Sequence, residues 1–282
     1  MAVSAQDVKA LREKTGAGMM ECKKALEETN GDAGAAEKLL KEKGLAAVEN
    51  RAGRAANEGK VFIKADAKKA AFAEIATETD FVARNPDFAA TGEKIAGIVY
   101  EKGLNEPTAE LAALVTDIAV KIREKMELKR VKFINAGPGE LVETYSHGDG
   151  KIGVAVIVAS DKLDALEKPE VKEFAHDLAL HVAAFNPAFL TRDSIDQGFI
   201  KEQSDIFLAQ MSQDPAMADK PDNVKAGILK GKLNKYLTSI CFLDQAFVKD
   251  DKLTVAKALD EAGKKAGAKL SIKDYSYLKV GV

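Results

Sequence analysis

Through the first 50 residues, apolar side chains recur at the spacing of helices that bury one face. Ser4 is followed three positions later by Asp7, which is a capping-box start for the first helix. Turns at Gly16 and Gly31 separate it from a second and a third helix. The apolar positions are Val8 and Leu11, then Met19, Cys22 and Leu26, then Ala36, Leu39 and Leu40, with a stop at Gly44. The pattern predicts a three-helix N-terminal module over residues 1–50.

The period of the pattern changes after residues 51–59, which are rich in Ala, Gly, Arg and Asn and are typical of a linker. Apolar and polar residues then alternate over residues 61–65, as in a half-buried strand. Further strand patterns lie at 71–76 and 131–134, and helices begin near Pro86 and Pro107. We expect residues 60–139 to form a first α+β subdomain with an antiparallel sheet.

Residues 140–282 show the same mixture of periods. Strand patterns lie at 141–145, 152–159 and 270–280, and helical patterns at 170–185 and 254–265. The pattern at 152–159 is apolar on both faces, which predicts a central strand. We expect a second α+β subdomain with an antiparallel sheet, and the fold class of the chain is therefore α+β.

A long helical insertion is predicted within the second subdomain. Residues 195–240 hold two helical patterns, separated by Asp214-Pro215 and by Lys220-Pro221-Asp222. Two helices joined by a short connection commonly pack antiparallel. We expect a helical hairpin that projects from the body of the protein.

Composition narrows the function classes. The chain is 46% hydrophobic and 30% charged, with a formal net charge of -2, as in globular proteins. Lysine and arginine are interspersed with acidic residues and form no basic stripe, so we expect no direct contact with nucleic acid. The apolar runs are too short to cross a bilayer, and the N-terminus lacks the apolar core of a signal peptide. We expect a cytoplasmic protein without membrane contact.

The residues that carry chemistry do not form a catalytic pattern. Cys22 and Cys241 lie outside any Cys-x-x-Cys spacing, which fits a reducing compartment and argues against zinc. Residues 148–153, GDGKIG, satisfy the dinucleotide-binding string, but a strand follows them where that site needs a helix. A hairpin turn is therefore favoured over a dinucleotide enzyme. We expect no enzymatic activity, no cofactor and no metal.

The three histidines have different predicted settings. His176 and His181 lie on one predicted helix, about 140° apart around its axis, and cannot share a metal as an i, i+4 pair can. His181 lies on the apolar face, so we expect a hydrogen-bonded core histidine, with Asp177 placed to pair with it at i+4. His147 lies in a glycine-flanked loop, where side chains are displayed.

Two methionines stand side by side at the start of the second helix. Adjacent helical positions point about 100° apart, so both side chains cannot face the same apolar stripe. Met19 fits the stripe with Leu26, and Met20 is then at least partly exposed, where methionine serves as an adaptable partner contact. The alternative, in which both fill gaps in the core, stays open on this pattern.

A second unusual segment is Thr79-Asp80-Phe81-Val82, between a strand and the next predicted helix. Thr79 can cap a short helical turn that holds Asp80 and Phe81 at its N-terminus. An aromatic residue on such a stiff turn is a good anchor for a partner pocket. The alternative is a Phe81 that folds back onto its own sheet.

Several ordered segments resemble the elongation factor Ts family. The sequence LREKTGAGMMECKKAL at residues 11–26 is similar to the N-terminal signature of the family, and ETDFVARN at 78–85 to its second signature. Shorter matches are NGD at 30–32, RAGR at 51–54, YSHG at 145–148, KIGV at 151–154, HVAA at 181–184 and QAFV at 245–248. The matches run in the family's order over nearly the whole chain.

The resemblance implies a guanine-nucleotide exchange factor for elongation factor Tu, bound in its GDP form. The three short helices with tight glycine turns resemble the ubiquitin-associated fold. The family resemblance implies that the segment Thr79, Asp80, Phe81 and Val82 enters the GTPase near its magnesium. Phe81 would act as a wedge between helices, and Asp80 would disturb the network that holds magnesium. It further implies supporting contacts from Met19, Met20, Lys23, Ile122 and His147, and a C-terminal unit that holds the partner's third domain.

Two questions stay open on the sequence. Family members occur as monomers within the complex or as dimers, so the sequence does not decide whether this chain forms a homodimer. The alternative function is an adaptor that binds partners through residues 1–50 without exchange activity.

This sequence departs from the family at several positions. Ala76-Thr77-Glu78 stands where members usually have Asn-Cys-Gln or Asn-Cys-Glu, so the hydrogen bonds of that asparagine must be made otherwise. Arg123 follows Ile122 where many members have glycine, and Ala246 replaces a frequent proline. Some members also carry a helical tail beyond the position matching Val282.

Overall fold

A computed structural model describes residues 3–217 and 220–282. The chain begins with three helices: α1 (Ala5–Thr15), α2 (Met19–Glu28) and α3 (Ala33–Arg51). The capping box predicted at Ser4 is confirmed, since its side chain accepts from the Asp7 N–H and the Asp7 carboxylate accepts from the Ser4 N–H. The helices enclose a small core of Val8, Leu11, Cys22, Ala25, Leu26 and Ala36.

The sequence-based prediction was wrong at two points in these helices. α3 does not stop at Gly44 but continues to Arg51. Gly44 lies against the first α+β unit, where an added Cβ would come 2.4 Å from Val120 Cγ1, so it serves close packing and not helix termination. Met19 does not join the buried stripe; it is the first residue of α2 and is exposed, and Ala25 is buried with Cys22 and Leu26.

The first α+β unit is a three-stranded antiparallel sheet with helices on it. Its strands are β1 (Glu58–Ala65), β2 (Lys69–Thr77) and β3 (Met126–Asn135), in the order β1-β2-β3. Its helices are α4 (Asp80–Ala83), α5 (Pro86–Lys102) and α6 (Ala109–Ile122). Phe62, Phe88, Ile95, Val99 and Leu111 form the centre of the core between sheet and helices. The central strand β2 is buried from Ala70 to Thr77, so packing fixes the position of its C-terminal end, where the segment from Glu78 begins.

The second unit has the same plan. Its main sheet is antiparallel in the order β4-β5-β8, formed by β4 (Glu140–His147), β5 (Ile152–Ser160) and β8 (Leu270–Lys279). The helices α7 (Pro169–Phe185) and α10 (Val255–Ala266) cover it, and β6 (Ala246–Phe247) pairs with β7 (Asp250–Thr254). β5 is central, as its two-sided apolar pattern predicts. The α+β fold class is thus confirmed.

The two units join through their sheets. The Val61 N–H of β1 donates to the Gly150 carbonyl at 2.8 Å, and the Val142 N–H of β4 donates to the Ala67 carbonyl at 3.0 Å. A shared cluster of buried side chains lies between them and contains Val61, Phe72, Ile134, Val142, Ala155 and Leu278. The turn between β4 and β5 therefore lies beside β1, close to the elements that follow β2.

Between α7 and β6 the chain forms α8 (Gln197–Ser212) and α9 (Asp222–Ile240). The two helices contact through aromatic rings, with Tyr236 of α9 stacked on Phe199 and edge-on to Phe207. A small core of Ile195, Leu237 and Cys241 lies at their base. Residues 218 and 219 of the predicted hairpin at 195–240 lie outside the described residues.

Candidate functional site

The segment after β2 folds into a single capped turn. Thr79 is extended, with φ -127° and ψ 156°, and its side-chain oxygen accepts from the Val82 N–H at 3.4 Å. This confirms the predicted cap. Val82 and Ala83 are buried in the core of the first unit, so the turn is fixed on its inner side.

Phe81 points the other way. Its side chain is 81% exposed, more than that of any other large apolar residue described except the C-terminal Val282. The alternative in which Phe81 folds back onto its own sheet is therefore wrong. A phenylalanine left in water forgoes roughly 1.5–3 kcal/mol of burial free energy, which a partner pocket can recover.

The turn is also held from outside by the loop that follows α6. Glu124 accepts two hydrogen bonds from Thr79, one from its N–H at 3.2 Å and one from its hydroxyl at 3.0 Å. The Lys125 N–H donates to the Glu78 carboxylate at 2.6 Å. Glu124 lies 45 residues from Thr79 in sequence, and no local pattern signals this contact.

The departures at residues 76–78 do not leave the turn unsupported. The buried Thr77 hydroxyl donates to the Thr79 carbonyl at 2.9 Å, which supplies a local bond within the segment. The Lys125 N–H and then the Arg54 guanidinium stabilise the charged form of Glu78, so its pKa is held below the usual range. Asp80 pairs with Arg84 at 3.3 Å across the turn.

His147 is the last residue of β4 and is exposed, with the Tyr145 hydroxyl 3.1 Å from its Nδ1. The turn that follows has positive φ at Gly148, Asp149 and Gly150, which confirms the predicted hairpin. Asp149 pairs with Lys60 of β1 at 2.8 Å. The bond to Lys60 is the main reason that the pKa of Asp149 is lowered. Gly150 of the hairpin accepts from Val61 of β1, and α4 also packs on β1, so the hairpin and the Phe81 turn both lie beside that strand.

The side chains predicted on α2 lie on its exposed face. Met20 is 63% exposed, and Lys23 forms an exposed pair with Glu27 at 3.8 Å. On the same helix Glu21 makes an ion pair with Arg123, the residue that follows α6. Ile122 is half-buried against the core of the first unit. The face of α2 is thereby tied to the loop that holds Thr79.

The remaining candidates have structural roles. His181 is buried and accepts from the Val248 N–H at 3.2 Å, while its Nε2 lies 2.9 Å from Gln245 Oε1. Burial lowers its pKa, as expected for a neutral core histidine. The predicted pair with Asp177 is wrong, because Asp177 pairs with Lys249 at 3.0 Å.

Within residues 3–217 and 220–282, no three histidine, cysteine or acidic side chains lie close enough together to bind a metal ion. Over the same ranges, every helix is too short or too polar to cross a membrane.

Comparison with known proteins gives a consistent result. The family model described as elongation factor Ts matches residues 78–282. A Treponema denticola protein named elongation factor Ts is 51% identical over 282 residues, covering all of this chain and 99% of that protein. Proteins of the same name from Treponema pallidum and Borrelia duttonii are 44% and 42% identical, over the full length of both chains.

Proposed function

Since this chain belongs to the elongation factor Ts family, whose members are translation elongation factors that promote nucleotide exchange, we propose that its partner is elongation factor Tu carrying GDP. In this proposal the Phe81 turn enters the nucleotide-binding domain of the GTPase near its magnesium. GDP leaves, and GTP takes its place. The chain makes and breaks no covalent bond in this cycle.

The observation that carries the proposal is the exposure of Phe81 on a turn that is fixed both before and after it in sequence. Val82 and Ala83 anchor the turn in the core, and Glu124 holds Thr79 at the start of the turn. A side chain that enters another protein must displace packed atoms there, and a stiff support keeps it from bending aside. The ordering entropy of the turn is already lost before binding, which favours insertion.

Asp80 supports the same step. Its carboxylate lies next to Phe81 at the start of the turn and forms an ion pair with the exposed Arg84. When Phe81 enters the GTPase, Asp80 arrives with it, and a carboxylate there competes for the groups that hold magnesium. Loss of the metal removes charge compensation from the diphosphate, which weakens GDP binding.

The energetic basis is linkage between two ligands of one GTPase. If the exchange factor lowers the affinity for GDP by some factor, GDP lowers the affinity for the exchange factor by the same factor. The surrounding surface supplies affinity without itself displacing GDP. Met19, Met20 and Lys23 on α2, Ile122 at the end of α6 and His147 on the hairpin are proposed to form that surface.

The test is stopped-flow release of a fluorescent GDP analogue from the cognate elongation factor Tu. Saturating wild-type protein is expected to accelerate release strongly, and Phe81→Ala is expected to bind with little acceleration. Unchanged release with the wild-type protein contradicts exchange activity. Full acceleration by Phe81→Ala contradicts only the wedge.

The exposure of Met20 also supports a second function, an adaptor that binds through α2 without exchange. The adaptor hypothesis predicts that Met20→Ala abolishes binding of elongation factor Tu while no variant alters GDP release. The exchange hypothesis predicts that Met20→Ala raises the concentration of factor needed for half-maximal release and leaves the maximal rate nearly unchanged. One titration of each variant separates the two.

A further inference from the structure

We propose that Glu124 is a positioning residue for exchange, which holds Phe81 in its exposed orientation by clamping Thr79. The inference rests on the proposed function, because it concerns the side chain that enters the GTPase. Neither Glu124 nor its loop belongs to the segment that carries the wedge.

The first step concerns the Thr79 hydroxyl, which takes part in two hydrogen bonds at once. Thr79 Oγ1 accepts from the Val82 N–H at 3.4 Å, near the limit for a hydrogen bond, and donates to Glu124 at 3.0 Å. A hydroxyl rotor without its own acceptor can turn away from the cap. By accepting the Thr79 proton, Glu124 keeps the oxygen lone pair directed at the Val82 N–H.

The second step is that, among the described residues, Glu124 bonds to Thr79 alone. Both of its carboxylate oxygens bond to Thr79, and it forms no ion pair with a cation in the part of the chain that the structure describes. A half-buried carboxylate without a counter-ion is costly unless its hydrogen bonds compensate. Charge-assisted bonds to one residue therefore make Glu124 specific for the Thr79 turn.

The third step concerns the loop that carries Glu124. Arg123 directly follows α6 and lies in the left-handed region, with φ 69°, and its guanidinium pairs with Glu21 on α2. Lys125 donates its N–H to Glu78 and its ammonium group to the Arg54 carbonyl. Three consecutive residues thus bind three different parts of the molecule, and Glu124 at the centre is held in place on both sides.

The kinetic test uses maximal GDP release at saturating factor. Glu124→Ala removes two bonds to a charged acceptor, so we expect about a tenfold lower maximal rate, with Glu124→Gln intermediate. In the Phe81→Ala background, Glu124→Ala is expected to cause no further loss, because the residue that it positions is gone. Glu110→Ala, at the other end of α6, is the matched control and is expected to match the wild type.

A second readout does not depend on exchange. The chain contains no tryptophan, so Phe81→Trp introduces a single indole at the tip of the turn. Adding Glu124→Ala to this variant is expected to increase fast motion of the indole in time-resolved anisotropy, whereas adding Glu110→Ala is not. This result holds even if the protein proves inactive in exchange, so the two proposals fail separately.

Two outcomes overturn the inference. One is an indole that is as immobile with Glu124→Ala as without it. The other is a rate loss from Glu124→Ala that persists undiminished in the Phe81→Ala background. Glu124→Gln keeps the size of the side chain, so the same two measurements can be made on it if Glu124→Ala is poorly folded.

Discussion

The two α+β units each follow their central strand with a short helical turn that exposes one large apolar residue. After β2, the turn Asp80–Ala83 presents Phe81, which is 81% exposed. After β5, the turn Leu163–Glu167 presents Leu163, which is 69% exposed. The same architecture therefore gives two candidate contact points, and the exposure of an apolar side chain alone does not distinguish them.

The support of the two turns does distinguish them. Thr79 caps the first turn with its side chain and is held by Glu124, whereas Lys162, at the corresponding position of the second, makes no capping bond with its side chain. The second turn is anchored by its buried Ala165 and Leu166, and the Lys162 ammonium group donates to the Gly267 carbonyl instead of capping the turn. We infer that the first turn is built for rigid presentation, and that the second is an ordinary connection.

The largest expected difference between the two turns is in the maximal rate of GDP release. Phe81→Ala should lower the maximal rate of GDP release by about 100- to 1,000-fold, the range for truncation of an aromatic hot spot. Leu163→Ala should change that rate by less than about twofold, since isolated surface apolar residues contribute little. Saturating concentrations of each variant in stopped-flow release provide the measurement. Equal losses from the two variants would remove the functional distinction.

The next effect is on the free energy of unfolding, where truncation in the second turn is expected to cost more than truncation in the first. Leu166→Ala should lower the free energy of unfolding by about 3 kcal/mol, and Val82→Ala by about 2 kcal/mol, because both truncations leave cavities in a core. Only Val82→Ala should also slow GDP release, since it loosens the anchor of Phe81. Urea unfolding and release assays on both variants test this. A comparable slowing by Leu166→Ala would contradict the assignment.

Local sequence signals were sufficient for the parts of the site formed by neighbouring residues. The cap at Thr79 and the turn at residues 148–150 follow from residue types a few positions apart, and the structure confirms both. The apolar pattern on both faces of β5 likewise predicted its central position in the sheet.

Contacts between distant parts of the chain were not predictable in this way. Gly44 continues α3 and packs against Val120, and Asp177 pairs with Lys249, 72 residues away, instead of with His181. Glu124 reaches Thr79 from a loop whose own sequence has no distinctive pattern. In each case the partner is set by tertiary packing, which overrides the local i, i+4 or glycine rule.

A smaller effect should follow from the cap itself. Thr79→Val removes the hydroxyl but keeps the shape, and should destabilise the protein by about 1 kcal/mol while also slowing GDP release. Thr79→Ser keeps the hydroxyl and should restore most of both properties. Lys162→Ala, the matched change in the second turn, should stay within about 0.5 kcal/mol and leave release unchanged. Thermal unfolding of the three variants, with parallel release assays, compares the caps directly.

The smallest expected effect concerns the carboxylates beside the two turns. Glu78 and Glu167 both have a lowered pKa, the first mainly through the Lys125 N–H and the second through its ion pair with Lys172 at 2.8 Å. Their side chains are 18% and 76% exposed. At 1 M salt the Debye length falls to about 3 Å, so the attraction within an exposed ion pair is screened. Salt does not remove a hydrogen bond from a fixed backbone N–H.

We therefore expect high salt to return the pKa of Glu167 towards its ordinary value and to leave most of the lowering at Glu78. A carboxylate with a lowered pKa stabilises the fold above its unfolded pKa of about 4.3, and this contribution is lost as the pH falls through the lower, folded pKa. The Phe81 turn should accordingly loosen only in acid, below the pH at which an ordinary glutamate titrates. Carbon-detected NMR titration of both carboxyl groups, at low and high salt, measures the difference. Equal salt responses would show that Glu78 depends on Arg54 and not on the Lys125 backbone, and that the support of the first turn is no stiffer than that of the second.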